Sequence, residues 1–227
     1  MSRSRDLNLL RFTQQIKMIV RMERKEDLEK LCRNIGRALR YKNSTETRCL
    51  TNPTLKPVMV RIHGGCFTGE YGHGTIPNYF VHNDVVIVSI NYRLGILGFL
   101  STGDEMVPGN MGLKDQTEPP RWVQRNIAAF GGDPDGVTIF GQSAGGASIH
   151  YHTLSPMSKG LYKNAIAMSG SALNPWAFPR NATDRAIRFA QHLGYTGKTS
   201  NDLLKFLKDV DNLLHYLEHE IITQLSK

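Results

Sequence analysis

The stretch Val137-Thr138-Ile139-Phe140-Gly141-Gln142-Ser143-Ala144-Gly145 combines the signals of a strand and of a reactive turn. Its first four residues are β-branched or aromatic and predict a short strand. The next five match Gly-x-Ser-x-Gly, and we expect residues 144–154 to form the helix that follows. A tight turn between strand and helix lifts the serine clear of the sheet, and the N–H of Ala144 then points to where an oxyanion would form. The stretch therefore predicts a nucleophile at Ser143.

Three further apolar runs predict strands. Nearly continuous apolar strands are typical of a parallel sheet that helices cover on both faces. The predicted strands are residues 58–63, 85–92, 137–140 and 165–168, and the predicted helices between and after them are 121–130, 144–154, 184–194 and 201–219. This alternation indicates an α/β fold. A ligand site in such a fold lies at the carboxyl ends of the strands.

A glycine-rich segment, His63-Gly64-Gly65-Cys66-Phe67, follows the predicted strand 58–63. Two adjacent glycines alone indicate no more than a turn. Beside Ser143, however, such a loop can direct backbone N–H groups toward the same oxyanion. The two motifs together favour a serine hydrolase.

The chain resembles a known family, the type-B carboxylesterases and cholinesterases of the α/β-hydrolase fold. Within that family it most resembles the insect alpha-esterases. The resemblance covers residues 56 to about 208. The segments that carry it are PVMVRIHGGCF (57–67), VVIVSINYRLGILGFLS (85–101), GNMGLKDQ (109–116), RWVQRNIAAFGGDP (121–134), VTIFGQSAGGAS (137–148) and MSGSALNPWA (168–177).

The resemblance implies a role for each matching residue. Ser143 is implied as the nucleophile, and the backbone N–H groups of Gly65, Cys66 and Ala144 as the oxyanion hole. Trp176 is implied to line the acyl pocket. The implied reaction is two-step hydrolysis of a small carboxylic ester through an acyl-enzyme, without a cofactor.

The acid and the histidine of the family's catalytic triad have no counterpart in residues 144–227. We therefore expect a partial α/β-hydrolase domain, and the alternative function is a catalytically incompetent relative, a pseudoenzyme or binding module. The order serine, acid, histidine is met formally by Ser143 with Asp202 and His215, or with Asp184 and His192. Both pairs fall on predicted surface helices, which disfavours them because a base must lie within hydrogen-bond reach of the serine.

Smaller departures from the family pattern lie close to the motifs. Cys66 stands where the oxyanion loop is expected to have a third glycine, and a positive φ there would strain the backbone. Gln142 replaces a more usual glutamate. Pro119 and Pro120 predict that the helix before Arg121 begins at or after Pro119. The resemblance also implies the strand order 85–92, 58–63, 136–141, 164–170, with both outer strands unpaired on one side.

His215-Tyr216-Leu217-Glu218-His219 matches a short zinc-protease pattern, with two histidines that would share one face of a helix. The polar face of a terminal amphipathic helix explains the same residues. We expect no metal site.

The net charge of +8 is concentrated in residues 1–50, which hold 13 Lys and Arg against 6 Asp and Glu. We interpret residues 1–50 as a basic arm and connector, and residues 51–227 as the hydrolase domain. Apolar residues spaced three or four apart predict an amphipathic helix over residues 6–41. Packing on the domain is its simplest role, and contact with an anionic membrane is the alternative. No aromatic platform or recognition motif supports nucleic-acid binding.

Compartment follows from cysteine count and targeting signals. Three cysteines are too few, and odd in number, for a disulfide framework. Met18-Ile19-Val20 is too short for a signal-peptide core. We expect an intracellular protein, cytoplasmic or peripherally bound to a membrane.

Overall fold

The computed structural model describes residues 16–19, 55–72, 80, 82–178 and 181–209. Five strands form one sheet: β1 (Ile16–Ile19), β2 (Lys56–Ile62), β3 (Val86–Ile90), β4 (Gly132–Gln142) and β5 (Asn164–Met168). The α-helices are α1 (Gly95–Phe99), α2 (Met111–Asp115), α3 (Glu118–Asn126), α4 (Ala144–Leu154), α5 (Ala182–His192) and α6 (Ser200–Asp209). Short 3₁₀ helices span Ile127–Phe130 and Pro156–Ser158.

The sheet has the order β1-β3-β2-β4-β5. β3, β2, β4 and β5 run parallel to one another, which confirms the predicted order of these four strands. All five residues of β3 are buried, and so are Val58, Val60 and Ile62 of β2. α4 packs against β4, β5 and β2. The predicted mostly parallel sheet with flanking helices is therefore confirmed.

β1 corrects the helix predicted over residues 6–41. Residues 16–19 form a strand that pairs antiparallel with β3, with Ile16 opposite Ile90 and Ile19 opposite Ile87. The edge of β3 offers backbone donors and acceptors, and pairing with them overrides the local helical pattern. The prediction that β3 is an unpaired outer strand is wrong for the same reason. The rest of the predicted helix lies outside the described residues.

The helices agree with their predicted positions at most boundaries. α4 spans the predicted residues 144–154, and α5 begins and ends two residues early. α3 begins at Glu118, one residue before the predicted start, because Pro119 and Pro120 fit in its first turn, where backbone N–H groups have no acceptor within the helix. α6 begins at Ser200, and the described part ends at Asp209.

α5 and α6 share a small hydrophobic core of their own. Its buried members are Ala186, Ala190, Tyr195 and Leu203. The main core lies between the sheet and the remaining helices and includes Val60, Val88, Ile90, Val123 and Ile139.

Candidate active site

Ser143 lies at the turn between β4 and α4, with φ 57° and ψ −120°. Residues other than glycine rarely adopt this conformation, and it costs on the order of 1–3 kcal/mol. Two backbone hydrogen bonds hold the turn: Ser143 N–H donates to the Met168 carbonyl at 2.9 Å, and Ala147 N–H donates to the Ser143 carbonyl at 3.0 Å. The side chain is half-buried. The predicted strand–serine–helix turn is therefore present.

Positions 141 and 145 must be glycine because the backbone of β2 passes very close to both of them. A Cβ on Gly145 would lie 2.3 Å from the Ile62 carbonyl oxygen, and one on Gly141 would lie 2.8 Å from the same atom. Contacts this short are not tolerated, so β2 can pass beside the turn only because both positions lack a side chain. The two glycines thus bring the end of β2 to Ser143.

The loop after β2 meets the turn, as predicted. A Cβ on Gly64 would lie 2.7 Å from the Gln142 carbonyl oxygen and 3.4 Å from the Ser143 Cβ. Gly65, Cys66 and Phe67 follow with φ values of 78°, 55° and 62°. The strain expected at Cys66 is therefore present, and its side chain is exposed. Gln142 also has an exposed side chain.

The loop's carbonyl groups are held by hydrogen bonds. The Tyr92 hydroxyl donates to the His63 carbonyl at 2.9 Å and to the Gly64 carbonyl at 3.3 Å. Burial raises the pKa of Tyr92, so the hydroxyl stays protonated and remains a donor. The Gly65 carbonyl accepts from the N–H groups of Thr68 and Gly69, both at 2.9 Å.

These bonds orient the N–H groups predicted to form the oxyanion hole. The carbonyl of one residue and the N–H of the next lie on opposite sides of one planar peptide. Fixing the carbonyls of Gly64, Gly65 and Ser143 therefore fixes the directions of the Gly65, Cys66 and Ala144 N–H groups. Within the described residues, the Gly65 and Cys66 N–H groups donate to no protein acceptor.

The His63 side chain is part of the packed interior of the protein. Its ring is buried and stacks on Tyr92, with ring centroids 4.3 Å apart. Its Nδ1 lies 3.2 Å from the Gly64 carbonyl, which can only accept, so Nδ1 carries the proton. Burial lowers the pKa of His63, which keeps the ring neutral.

No histidine in the described part of the chain hydrogen-bonds to the Ser143 hydroxyl. Asp184 pairs with Arg188 on α5, and Asp202 accepts from the Thr199 hydroxyl at 2.7 Å as part of the cap of α6. In the described part of the chain, no hydrogen bond joins Ser143 to either carboxylate or to His192 at the end of α5. His215 lies outside the described residues.

Trp176 lies near the glycine loop. Its ring centroid is 6.4 Å from that of Phe67, the residue after Cys66, and 47% of its surface is exposed. An aromatic wall close to the loop is compatible with the acyl-pocket role that the resemblance implies, and the role itself stays a prediction.

A buried polar network behind the turn was not predicted from the sequence. His152 Nε2 lies 2.9 Å from the Gln116 side-chain carbonyl, and His152 Nδ1 lies 2.8 Å from the Ser158 hydroxyl. Gln116 Nε2 donates to Ser148 Oγ at 3.2 Å, and that hydroxyl donates to the Ala144 carbonyl at 2.9 Å.

The tautomer of His152 follows from this network. Because the Gln116 oxygen can only accept, Nε2 carries the proton and Nδ1 accepts from Ser158. Burial lowers the pKa of His152 to about 4. Both nitrogens of the neutral ring therefore have hydrogen-bond partners. Through Ser148, the network also connects Gln116, at the end of α2, with Ala144, the first residue of α4.

Within the described ranges, no cluster of His, Cys, Asp or Glu could hold a metal ion. His215 and His219, which match the short zinc-protease pattern, lie outside those ranges. Among the described helices, none has the length and apolar character needed to cross a membrane.

A mostly parallel sheet with a serine on a strained strand–helix turn, next to a glycine loop with directed N–H groups, defines an α/β-hydrolase. Residues 41–223 match the model of the carboxylesterase family. The chain belongs to this family.

Individual relatives agree with that assignment. Venom carboxylesterase-6 of Apis mellifera is 52% identical over 155 residues, which are 68% of this chain and 27% of that protein. Bile salt-activated lipase of Mus musculus is 48% identical over 164 residues, 68% of this chain and 27% of the lipase. Juvenile hormone esterase of Manduca sexta, solved with OTFP covalently attached, matches with a TM-score of 0.65 and 39% identity, over 70% of this chain and 31% of the esterase.

The matched part of the chain thus spans little more than a quarter of the length of these two curated relatives.

Proposed function

We propose that this protein is a serine hydrolase of small carboxylic esters. The hydroxyl oxygen of Ser143 attacks the ester carbonyl carbon, and its proton passes to a general base. The tetrahedral intermediate expels the alcohol, which takes up the proton, and leaves an acyl group on Ser143. Water then attacks the acyl carbon and releases the carboxylic acid with restored Ser143.

The conformation of Ser143 is the observation that carries this proposal. A strain of this kind persists only where the surrounding structure imposes it, and here the close approach of β2 and the hydrogen bond to Met168 do so. The structure of juvenile hormone esterase with OTFP covalently attached supports it as well, because covalent attachment is the behaviour that we propose for Ser143.

The oxyanion hole supplies the electrostatic part of the mechanism. The N–H groups of Gly65, Cys66 and Ala144 would stabilise the charge that develops on the carbonyl oxygen. Loss of one such donor typically costs about 10²–10³ in rate. Phe67 and Trp176 would provide the apolar surface for the acyl chain.

The general base is the group that the described residues do not supply to Ser143. The test therefore separates acylation from turnover. The full chain is treated with a fluorophosphonate probe, digested and analysed by mass spectrometry, while hydrolysis of p-nitrophenyl butyrate is measured in parallel. We expect one equivalent of label on Ser143 and turnover that disappears in Ser143→Ala.

Ser155→Ala is the matched control, because Ser155 lies at the opposite end of the same helix. It should label and turn over like the unmodified chain. Folded protein that takes up no label contradicts the proposal. Label without turnover favours the incompetent relative, and added imidazole that restores Ser143-dependent turnover would identify the base as the missing group.

We further propose an intracellular protein, cytoplasmic or held at an anionic membrane by the parts of residues 6–41 that flank β1. The support is the concentration of positive charge in residues 1–50. The full chain should sediment with vesicles that contain 30% phosphatidylserine, remain in solution with pure phosphatidylcholine, and be released by about 0.5 M salt. Equal binding to both kinds of vesicle, or binding to neither, contradicts the proposed contact with anionic membranes.

A further inference from the structure

Glu70 reaches back from the end of the glycine loop to its beginning. One carboxylate oxygen, Oε1, accepts from Arg61 Nη2 at 2.7 Å, and the other, Oε2, accepts from the Gly64 N–H at 3.1 Å. Glu70 itself has a φ of 74°, and its Cβ lies close enough to Gly65 that a side chain on that glycine would come within 2.9 Å of it. The carboxylate therefore bridges β2 and the loop.

This bridge completes the anchoring of Gly64. Tyr92 holds the carbonyl groups of His63 and Gly64, and Glu70 holds the N–H between them. Both peptide groups that flank the Gly64 Cα are then fixed. The second of them carries the Gly65 N–H, one of the proposed oxyanion donors.

Gly64 needs such anchors because it lacks a side chain. A glycine can adopt φ and ψ values that other residues cannot, so its peptide groups rotate freely unless hydrogen bonds hold them. A misplacement of about 1 Å in a catalytic group can cost on the order of 10²-fold in rate. The loop also contains consecutive positive φ values, which persist only where the structure over-determines them.

We infer that Glu70 is a positioning residue: it holds the His63–Gly64 peptide, and because Tyr92 holds the Gly64 carbonyl on the other side of the Gly64 Cα, Gly64 is fixed so that the Gly65 N–H is directed at the oxyanion. This inference rests on the proposed ester hydrolysis. Arg61 orients the carboxylate by pairing with its other oxygen. The other terminal nitrogen of the Arg61 guanidinium, Nη1, is buried without a hydrogen-bond partner. Among the described residues, Glu70 is the only carboxylate that pairs with Arg61.

Two substitutions separate positioning from the ion pair. Glu70→Ala and Glu70→Gln both remove the negative charge beside Arg61, but only the glutamine keeps an oxygen that can accept from the Gly64 N–H. We expect Glu70→Ala to label with fluorophosphonate about 10-fold more slowly than the unmodified chain, and Glu70→Gln within about 3-fold of it. Where turnover is measured, Glu70→Ala should lower kcat and leave KM unchanged, because an oxyanion donor acts in the transition state.

The hydrogen-exchange rate of the Gly64 N–H, measured by ¹⁵N NMR, tests the same contact without depending on catalysis. The Gly64 N–H should exchange at least about 10-fold faster in Glu70→Ala than in Glu70→Gln, while the melting temperatures of the two variants fall equally. Equal labelling rates and equal exchange in the two variants would overturn the inference. If the unmodified chain takes up no label, the proposed hydrolysis fails, and the exchange of the Gly64 N–H alone decides whether Glu70 anchors the loop.

Discussion

β3 and β5 are two five-residue strands with opposite surroundings. Their sequences, Val-Ile-Val-Ser-Ile and Asn-Ala-Ile-Ala-Met, are both uncharged and mostly apolar. In β3 every residue is buried, and in β5 every residue is exposed. β3 lies between β1 and β2, whereas β5 follows β4 at the end of the sheet.

The difference shows that an apolar sequence does not by itself determine whether a strand is buried. The strands and helices that pack next to it determine how much of its surface is covered. The core and the candidate site both belong to the well-covered part of the sheet, since β2 lies beside β3 and β4 beside β2, and these two strands end at the glycine loop and at Ser143. β5 contributes the Met168 carbonyl that holds Ser143, yet its own side chains remain largely in contact with solvent.

The largest expected effect comes from deleting the same atoms in both strands. Ile90 of β3 is 0% exposed and Ile166 of β5 is 44% exposed. Ile90→Ala should lower the free energy of unfolding by about 3–4 kcal/mol, because it removes buried methyl groups and leaves a cavity. Ile166→Ala should cost less than about 1 kcal/mol. Urea unfolding followed by circular dichroism measures both, and similar losses at the two positions would show that β5 is covered in solution.

The elements that the sequence predicts well are those specified locally. The β4–turn–α4 unit was predicted because the constraints on it, a β-rich run and the spacing of Gly141, Ser143 and Gly145, lie within a few residues. The α4 boundaries were predicted for the same reason.

The features that were missed depend on contacts between distant parts of the chain. β1 forms by pairing with a strand about seventy residues later, and its local pattern indicates a helix. The network of Gln116 and His152 joins residues 36 positions apart, and neither residue has a local signal that distinguishes it from a surface residue. Glu70 likewise acquires its position only when the loop folds back on β2.

His152 extends the comparison to a buried polar group. Burial lowers the pKa of His152 to about 4 from 6.5, so between these pH values an unfolded chain binds a proton that the folded chain refuses. The stability that this network provides is complete above pH 6.5 and is lost as the pH falls toward 4, by about 3 kcal/mol in total. Urea midpoints measured from pH 8 to pH 4 should show this decline.

The substitution His152→Gln removes the titrating group and should flatten the slope between pH 6.5 and 4. A residual slope of the same sign is expected from His63, because burial lowers the pKa of His63 as well. An unchanged slope in His152→Gln would show that the ring is accessible to water and outside the buried region.

Ser143 tests a third kind of position, one that is strained rather than buried. Ser143→Gly should remove the steric cost of φ 57° and raise the free energy of unfolding by about 1 kcal/mol, after the larger chain entropy of glycine in the unfolded state is subtracted. The same substitution should abolish fluorophosphonate labelling. A stability gain together with lost labelling would indicate strain retained for chemistry, whereas a less stable variant would show that the conformation costs the protein nothing.

The smallest effect on stability is expected at the outer edge of β5. No strand pairs with this edge in the described part of the chain, and β5 carries no charge that would discourage pairing between molecules. Ile166→Lys should change the free energy of unfolding by less than about 0.5 kcal/mol but reduce self-association in a concentration series by sedimentation velocity.

Leu154→Lys is the matched control for this edge. It places the same charge at an apolar residue that is 70% exposed and belongs to α4, not to a strand. If self-association proceeds through edge pairing, the lysine at position 166 should suppress it and the lysine at position 154 should not. Equal suppression by both would mean that exposed apolar surface in general, and not the open strand, makes the molecules associate, and β5 would then differ from β3 in burial alone.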